Sequence, residues 1–290
     1  MNTTMNTVRV LTDEERTCFD RDGFLVLRKV LDRGKIDALV TAGDALFASG
    51  ALENRDTSSD GWDGYRNCLP RDPAFRGLLT NPATFPVVSQ LIGPNIHLIS
   101  SQLIYMASHA PGAKRSIRVP ERHGWHRDLY GVTQDLGYRG VPRLALKVGF
   151  YLTDCPDPSY GMTLFAPGSH KLQEPLSIPP GAIDPPGAAQ PKMEAGDAVI
   201  FENRLWHAGG LNHSGVTRKV VMLQYAFRWI KAVDYVPQEL SAPDDYSETE
   251  RQLLGLRDMD ADGRFVAGAG AAPVSAFMKA HALQCQQAGL

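Results

Sequence analysis

The sequence predicts a mainly β chain with flanking helices, its strands gathered into a sandwich or barrel. Three observations carry this expectation. Short β-prone runs recur at 96–106, 145–152, 162–166, 198–201 and 219–229. Glycine and proline clusters punctuate them, which is the texture of many short strands joined by turns. Segments with helical caps and helical apolar spacing lie before and after this region, so the helices support the sheet rather than alternate with strands.

The elements follow in chain order. Thr12 is an N-cap candidate, with Glu15 three positions later completing a capping box. Gly23-Phe24-Leu25-Val26-Leu27 is a short apolar run suited to a strand. Residues 32–47 place Ile36, Leu39, Val40, Leu46 and Phe47 at helical spacing. Residues 50–70 are polar and glycine-rich and are expected to be a mobile surface loop. A helix is expected over 81–91 with Asn81 as N-cap, or starting near Phe85 because Pro86 would remove an interior hydrogen bond. After the strands, Ser247 and Glu250 repeat the capping-box pattern, 267–272 is a flexible Gly/Ala stretch, and 271–287 is expected to be helical. The chain is thereby divided into helical support over 10–92, a β core over about 95–235, and a helical extension over 236–290, all within one domain 1–290.

Composition excludes several classes. The 290 residues carry a formal net charge of −2, with no nucleic-acid or membrane signature. The first residues lack a basic region followed by an apolar one, and no apolar run is long enough for a transmembrane helix. The four cysteines, Cys18, Cys68, Cys155 and Cys285, are widely dispersed. That spacing argues against a zinc knuckle or a disulfide framework and fits a reducing cytoplasm. The expected partner is a small-molecule substrate, and the expected state is a monomer or homodimer.

The chemistry is concentrated in His123-Gly124-Trp125-His126-Arg127-Asp128. On extended backbone His126 and Asp128 point to one face, whereas His123 is out of phase with His126. An isolated histidine is most often a satisfied polar residue. Pairing with a carboxylate that needs a cation when buried changes that reading. A third ligand is offered by His207, which follows the apolar run 198–201 and precedes Gly209-Gly210. Two histidines and one carboxylate with open positions are the ligand set of non-haem Fe(II) oxygenases. Arg218 follows beyond a turn at 211–215, where its planar fork suits the carboxylate of an anionic cosubstrate.

In Trp125-His126-Arg127-Asp128, Gly161 through Lys171, Gly196-Asp197-Ala198-Val199-Ile200-Phe201, and His207 through Asn212, Ser214 and Arg218, the sequence resembles the phytanoyl-CoA dioxygenase family of Fe(II)- and 2-oxoglutarate-dependent oxygenases. The opening Asp22-Gly23-Phe24-Leu25-Val26-Leu27 resembles that family too, and the likeness covers about residues 10–235. It implies a double-stranded β-helix, a cupin-like jelly roll. It implies that His126, Asp128 and His207 bind Fe(II), that 2-oxoglutarate meets Arg218, and that Gln102 and Thr163 are further 2-oxoglutarate contacts. Dioxygen completes the cofactor set. Related halogenases leave the carboxylate position small for chloride, so Asp128 favours oxygen transfer or another oxidation.

The resemblance leaves the substrate open. Hydroxylation, desaturation, epoxidation and cyclisation all fit the same ligands, and the reading leans to a small or mid-sized metabolite such as a natural-product intermediate. The basic stretch Lys114, Arg115, Arg118 and Arg122 reads first as a solvated loop; as an anion site it would suit an acyl-CoA. Trp125, Tyr130, Phe150, Tyr151, Phe201 and Trp206 are candidate pocket aromatics, of which two or three are expected to face the cavity, with 108–122 and 171–193 as its rim. Competing readings are a non-catalytic jelly roll that binds a metal or ligand, and a zinc hydrolase, which leaves Arg218 without a purpose.

Overall fold

The computed structural model describes residues 8–50, 55–57, 62–109, 123–234, 245–266 and 273–285. Its centre is a seven-stranded antiparallel sheet. In chain order the strands are β1 (Phe24–Leu27), β2 (Arg55–Thr57), β3 (Trp62–Arg66), β4 (Ile96–Met106), β5 (Ala145–Tyr151), β6 (Thr163–Phe165), β7 (Ala198–Glu202), β8 (His207–Gly209) and β9 (Arg218–Phe227). The large sheet runs β1-β7-β5-β9-β4-β3-β2, and β6 pairs with β8 in a second, smaller sheet. Isolated bridges from His126 to His207 and from Phe165 to Ala189 widen the small sheet at both edges. Two sheets enclosing one interior match the expected jelly roll.

The middle of the large sheet, β7, β5 and β9, is covered on both faces, so these strands are nearly all apolar rather than alternating. On one side Leu146, Val148, Phe150, Val221, Leu223 and Tyr225 pack with helical residues in the main core. On the other, Tyr151, Val199, Phe201, Val220 and Met222 join Phe165 of the small sheet and Met162 just before it. Strand β4 changes phase through a bulge between Leu98 and Ser100, an extra residue that re-aims the side chains beyond it. The bulge lets Leu98 and Leu103 share the helical core while Ser100, Gln102 and Ile104 face the interior.

The helices are α1 (Asp13–Asp22), α2 (Arg33–Ala48), α3 (Pro73–Arg76), α4 (Phe85–Ile92), α5 (Tyr130–Leu136), α6 (Glu248–Leu253) and α7 (Pro273–Ala280). Both capping boxes form: Thr12 Oγ1 accepts from the Glu15 amide, and Ser247 Oγ from the Glu250 amide. Helix α1 stops at Gly23, whose φ of 84° suits the left-handed C-cap conformation. Helix α4 begins at Phe85 with Pro86 in its first turn, the second of the two starts allowed by the sequence. Asn81 instead caps the preceding turn, accepting from the Ala83 amide at 2.9 Å.

Two expectations are corrected. Residues 50–70 are not simply a surface loop, because β2 and β3 lie there and extend the large sheet next to β4; a paired edge strand needs few apolar residues when only one face is buried. The last helix is shorter than 271–287, since α7 ends at Ala280. The flexible stretch expected at 267–272 and the basic stretch at 114–122 lie outside the described residues. No helix among the described residues is long and apolar enough to cross a membrane.

Candidate metal centre

His126 and His207 meet as a directly opposed antiparallel pair. Each amide donates to the other's carbonyl, at 2.9 and 3.0 Å, so the two rings project together with centroids 4.2 Å apart. Asp128, two positions after His126, shares the face of that residue as the extended spacing requires. Its Oδ1 lies 3.8 Å from His207 Nε2, and the ligating atoms of His126, Asp128 and His207 all lie within 4.8 Å of one another. Leu129 then takes a φ of 54°, a left-handed conformation unfavourable for leucine, which turns the chain sharply into α5 directly after the carboxylate.

The hydrogen bonds fix which atoms face the cavity. His126 Nδ1 donates to the Gly124 carbonyl at 2.8 Å, and His207 Nδ1 donates to the Leu205 carbonyl at 2.9 Å. A carbonyl only accepts, so Nδ1 carries the proton in both rings and Nε2 keeps its lone pair, the arrangement found when the second nitrogen binds a metal. Burial pushes the His207 imidazole down to about 3, which keeps it neutral. Burial alone would raise the Asp128 carboxyl, but the Lys147 ammonium, with the His207 and His126 rings beside it, more than offsets this and holds the group at about 2. Asp128 Oδ2 is buried with no hydrogen-bond partner. Two imidazole lone pairs and an orphaned anionic oxygen converge on one point, so the donor set fits a divalent transition metal.

Arg218 opens β9 opposite Met106 of β4. It is buried, and its guanidinium donates to the Gly161 carbonyl. Its Nε has no partner, leaving a donor that needs an acceptor. Asn212 sets the turn that returns the chain to Arg218: its Nδ2 donates to the Met106 and Val216 carbonyls at 2.8 and 2.7 Å. Thr163 Oγ1 sits 3.1 Å from the Tyr151 hydroxyl. Gln102 faces inward on β4 beside Arg66 of β3. All six residues predicted from the sequence line a single cavity of about 460 Å³.

Other predicted residues take structural places. His123 and Trp125 both contact the Asp184 carboxylate, at 2.6 and 2.9 Å, and tie 171–193 to the metal-site strand without lining the cavity. His170 approaches the Asp20 carbonyl at 3.1 Å. Trp206 stacks on Tyr138. Phe150 packs in the helical core, while Tyr130 and Phe201 line the cavity. Arg127, between the two ligands in sequence, is buried and donates to the Ser169 and Leu172 carbonyls at 2.8 and 3.1 Å, stapling the ligand strand to the 168–172 turn.

Among the cavity residues that sequence reasoning missed are Trp62, Arg66, Lys147 and Gln224. Lys147 donates to Asp128 Oδ1 at 2.7 Å. It is the single charged side chain of Ala-Leu-Lys-Val-Gly-Phe-Tyr, and a lone lysine inside an otherwise apolar strand is the signal that would have found it. Trp62 and Arg66 lay in the stretch expected to be a loop.

A family model described as phytanoyl-CoA dioxygenase matches residues 19–220. A protein named dioxygenase cdmA, from Talaromyces verruculosus, is 35% identical over 100 residues, which is 34% of this chain and 32% of that protein. The chain thus matches about a third of that relative's length. Among solved structures, the α-ketoglutarate-dependent epimerase SnoN of nogalamycin biosynthesis aligns with TM-score 0.59 at 21% identity, over 80% of this chain and 91% of SnoN. HygX from Streptomyces hygroscopicus, solved with nickel and 2-oxoglutarate, aligns with TM-score 0.61 at 18% identity, over 81% and 94%. At these identities the two structures establish the shared fold. The family model spans most of the chain, and the protein belongs to the phytanoyl-CoA dioxygenase family.

Proposed function

We propose that the protein is an Fe(II)- and 2-oxoglutarate-dependent dioxygenase that oxidises a C–H bond of a small or mid-sized organic metabolite, such as a natural-product intermediate. The observation that carries this reading is the meeting, in one cavity, of three metal-facing donor atoms with a buried arginine whose Nε lacks a partner. His126, Asp128 and His207 would hold the iron, and Arg218, with Gln102 and Thr163 beside it, would hold 2-oxoglutarate. Iron with 2-oxoglutarate and dioxygen supplies an oxidant for C–H bonds, with succinate as co-product. The chain's own part is positioning. The opposed backbone pair fixes both rings, the Gly124 and Leu205 carbonyls fix their tautomers, and Lys147 restrains the carboxylate. Ile104, Phe201 and Met222 supply an apolar part of the cavity wall.

Support from relatives is of one kind: HygX binds nickel together with 2-oxoglutarate and also binds iron, and SnoN is an α-ketoglutarate-dependent epimerase of nogalamycin biosynthesis. A carboxylate at position 128 favours oxidation over halogenation. A zinc hydrolase gives the unmet Nε of Arg218 nothing to do, and turnover to succinate separates the oxygenase from a bare binding protein. The four free cysteines fit a reducing cytoplasm.

Anaerobic addition of Fe(II) and then 2-oxoglutarate is expected to produce a weak visible metal-to-ligand band, and admission of air to release succinate. Absence of both, in protein shown to hold iron, would reject the oxygenase reading.

A further inference from the structure

The polar wall of the cavity lies away from Arg218. Lys147 of β5 and Gln224 of β9 are register partners, so their side chains stand side by side on the inner face. Ser100 of β4 is the next partner in the same row. Gln224 is 5% exposed, yet its Nε2 has no hydrogen-bond partner. A buried amide donor aimed into a cavity has lost its water without gaining an acceptor. The ammonium of Lys147 carries three donors, of which Asp128 takes one.

Charge points the same way. Among the described residues, Arg66, Lys147 and Arg218 are the cations lining the cavity, and Asp128 is its one carboxylate. Asp234 lies behind Ser100, whose hydroxyl donates to it at 2.7 Å, and faces Arg66. Those two cancel, leaving an excess of one positive charge. Fe(II) and the 2-oxoglutarate dianion add no net charge between them, so the excess persists in the loaded site. A cavity with surplus positive charge and unmet donors selects an anion with acceptor oxygens.

We propose that Lys147 and Gln224 form the recognition site for a carboxylate on the substrate, one oxygen accepting from Lys147 Nζ and the other from Gln224 Nε2. The inference rests on the oxygenase reading and narrows its substrate class to organic acids. Lys147 keeps its contact to Asp128 and so holds the substrate anion beside the metal ligand.

The test uses protein loaded with Zn(II) and saturating 2-oxoglutarate, which is diamagnetic. A library of small organic acids, each paired with its primary amide, is screened by ligand-observed NMR. Acids are expected to bind about tenfold more tightly than their amides. Lys147→Met is expected to reduce that ratio to about twofold or less, Gln224→Leu to lower it about threefold, and Lys147→Arg to retain it. No acid-selective binder, or a preference that survives Lys147→Met, overturns the proposal. The variants are also loaded with Fe(II) under argon. A wild-type visible band with no acid preference rejects carboxylate recognition alone, whereas loss of the band in the wild type rejects the oxygenase reading instead.

Discussion

At the scale of single residues, the site is defined by atoms left without partners. Asp128 Oδ2 and Arg218 Nε are both buried and both unsatisfied, a costly state for an ionised group unless a ligand completes it. They call for opposite partners, a cation and an anion, and Arg218 can therefore be separated from the metal by experiment. Arg218→Ala is expected to raise the 2-oxoglutarate concentration for half-saturation roughly 100-fold, the loss of a charge-assisted pair at about 1.5–3 kcal/mol. Iron affinity, read by dialysis and metal analysis, is expected to change by less than about threefold. Arg218→Lys keeps the charge but not the planar fork and is expected to fall between, at about tenfold. Equal losses of iron and 2-oxoglutarate would assign Arg218 a structural role. Thr163→Val removes the hydroxyl beside Tyr151 and is expected to cost about 1 kcal/mol of stability, measured by denaturant unfolding. A gain in stability would mean that this pair does not hold β6.

At the scale of elements, the site depends on turns that deliver strand ends. Gly161 has a φ of 66°, and a Cβ there would lie 2.8 Å from the Asn212 amide nitrogen and the Gly210 carbonyl oxygen. Its own carbonyl accepts from Arg218. Gly161→Ala therefore strains the backbone and displaces the group that aims Arg218, at about 1–3 kcal/mol in stability and with weaker 2-oxoglutarate binding. A variant that lost stability but bound 2-oxoglutarate normally would show that the carbonyl does not aim the arginine. Elements of this kind were unevenly legible in the sequence. Capping boxes at Thr12 and Ser247 act within three residues, so local pattern was enough to place them. The same-face spacing of His126 and Asp128 is equally local. What pattern did not reveal was that His126 and His207 are backbone partners, because that register is set by closure of the small sheet over a long stretch of chain. Nor did it reveal the bulge at 98–100 that turns Gln102 inward. Strands β2 and β3 were masked by polar residues tolerated at a sheet edge.

At the scale of the whole molecule, burial of neutral and ionised groups together sets an acid limit. His97, His170 and His207 are each only 5% exposed, and burial depresses all three from the ordinary imidazole value of 6.5. They sit against different parts of the fold: His97 bonds the Ile230 carbonyl, His170 the Asp20 carbonyl, and His207 the Leu205 carbonyl. Because the folded values lie below the unfolded one, the unfolded chain takes up protons first as pH falls. Stability is then fully present above about pH 6.5 and declines below it, by up to about 1.4 kcal/mol per pH unit for each histidine. Glu202 is buried too; burial alone would raise it, but Arg204 and Arg143 hold it below its ordinary value of 4.5, so its contribution is lost at still lower pH. Metal-free protein is thus expected to show a melting temperature that is flat from pH 8 to 7 and falls steadily from pH 6.5 to 5. Fe(II), added under argon, is expected to raise it more at pH 7.5 than at pH 5.5, since protons compete for the two ligand imidazoles. Replacing His170 with Gln is expected to lower the melting temperature at pH 7.5 yet flatten its fall towards pH 5. A melting temperature that held constant or rose between pH 7 and 5.5 would mean that these histidines are not neutral in the folded protein. The assignment of Nε2 of His207 as a metal-facing lone pair would then fail with them.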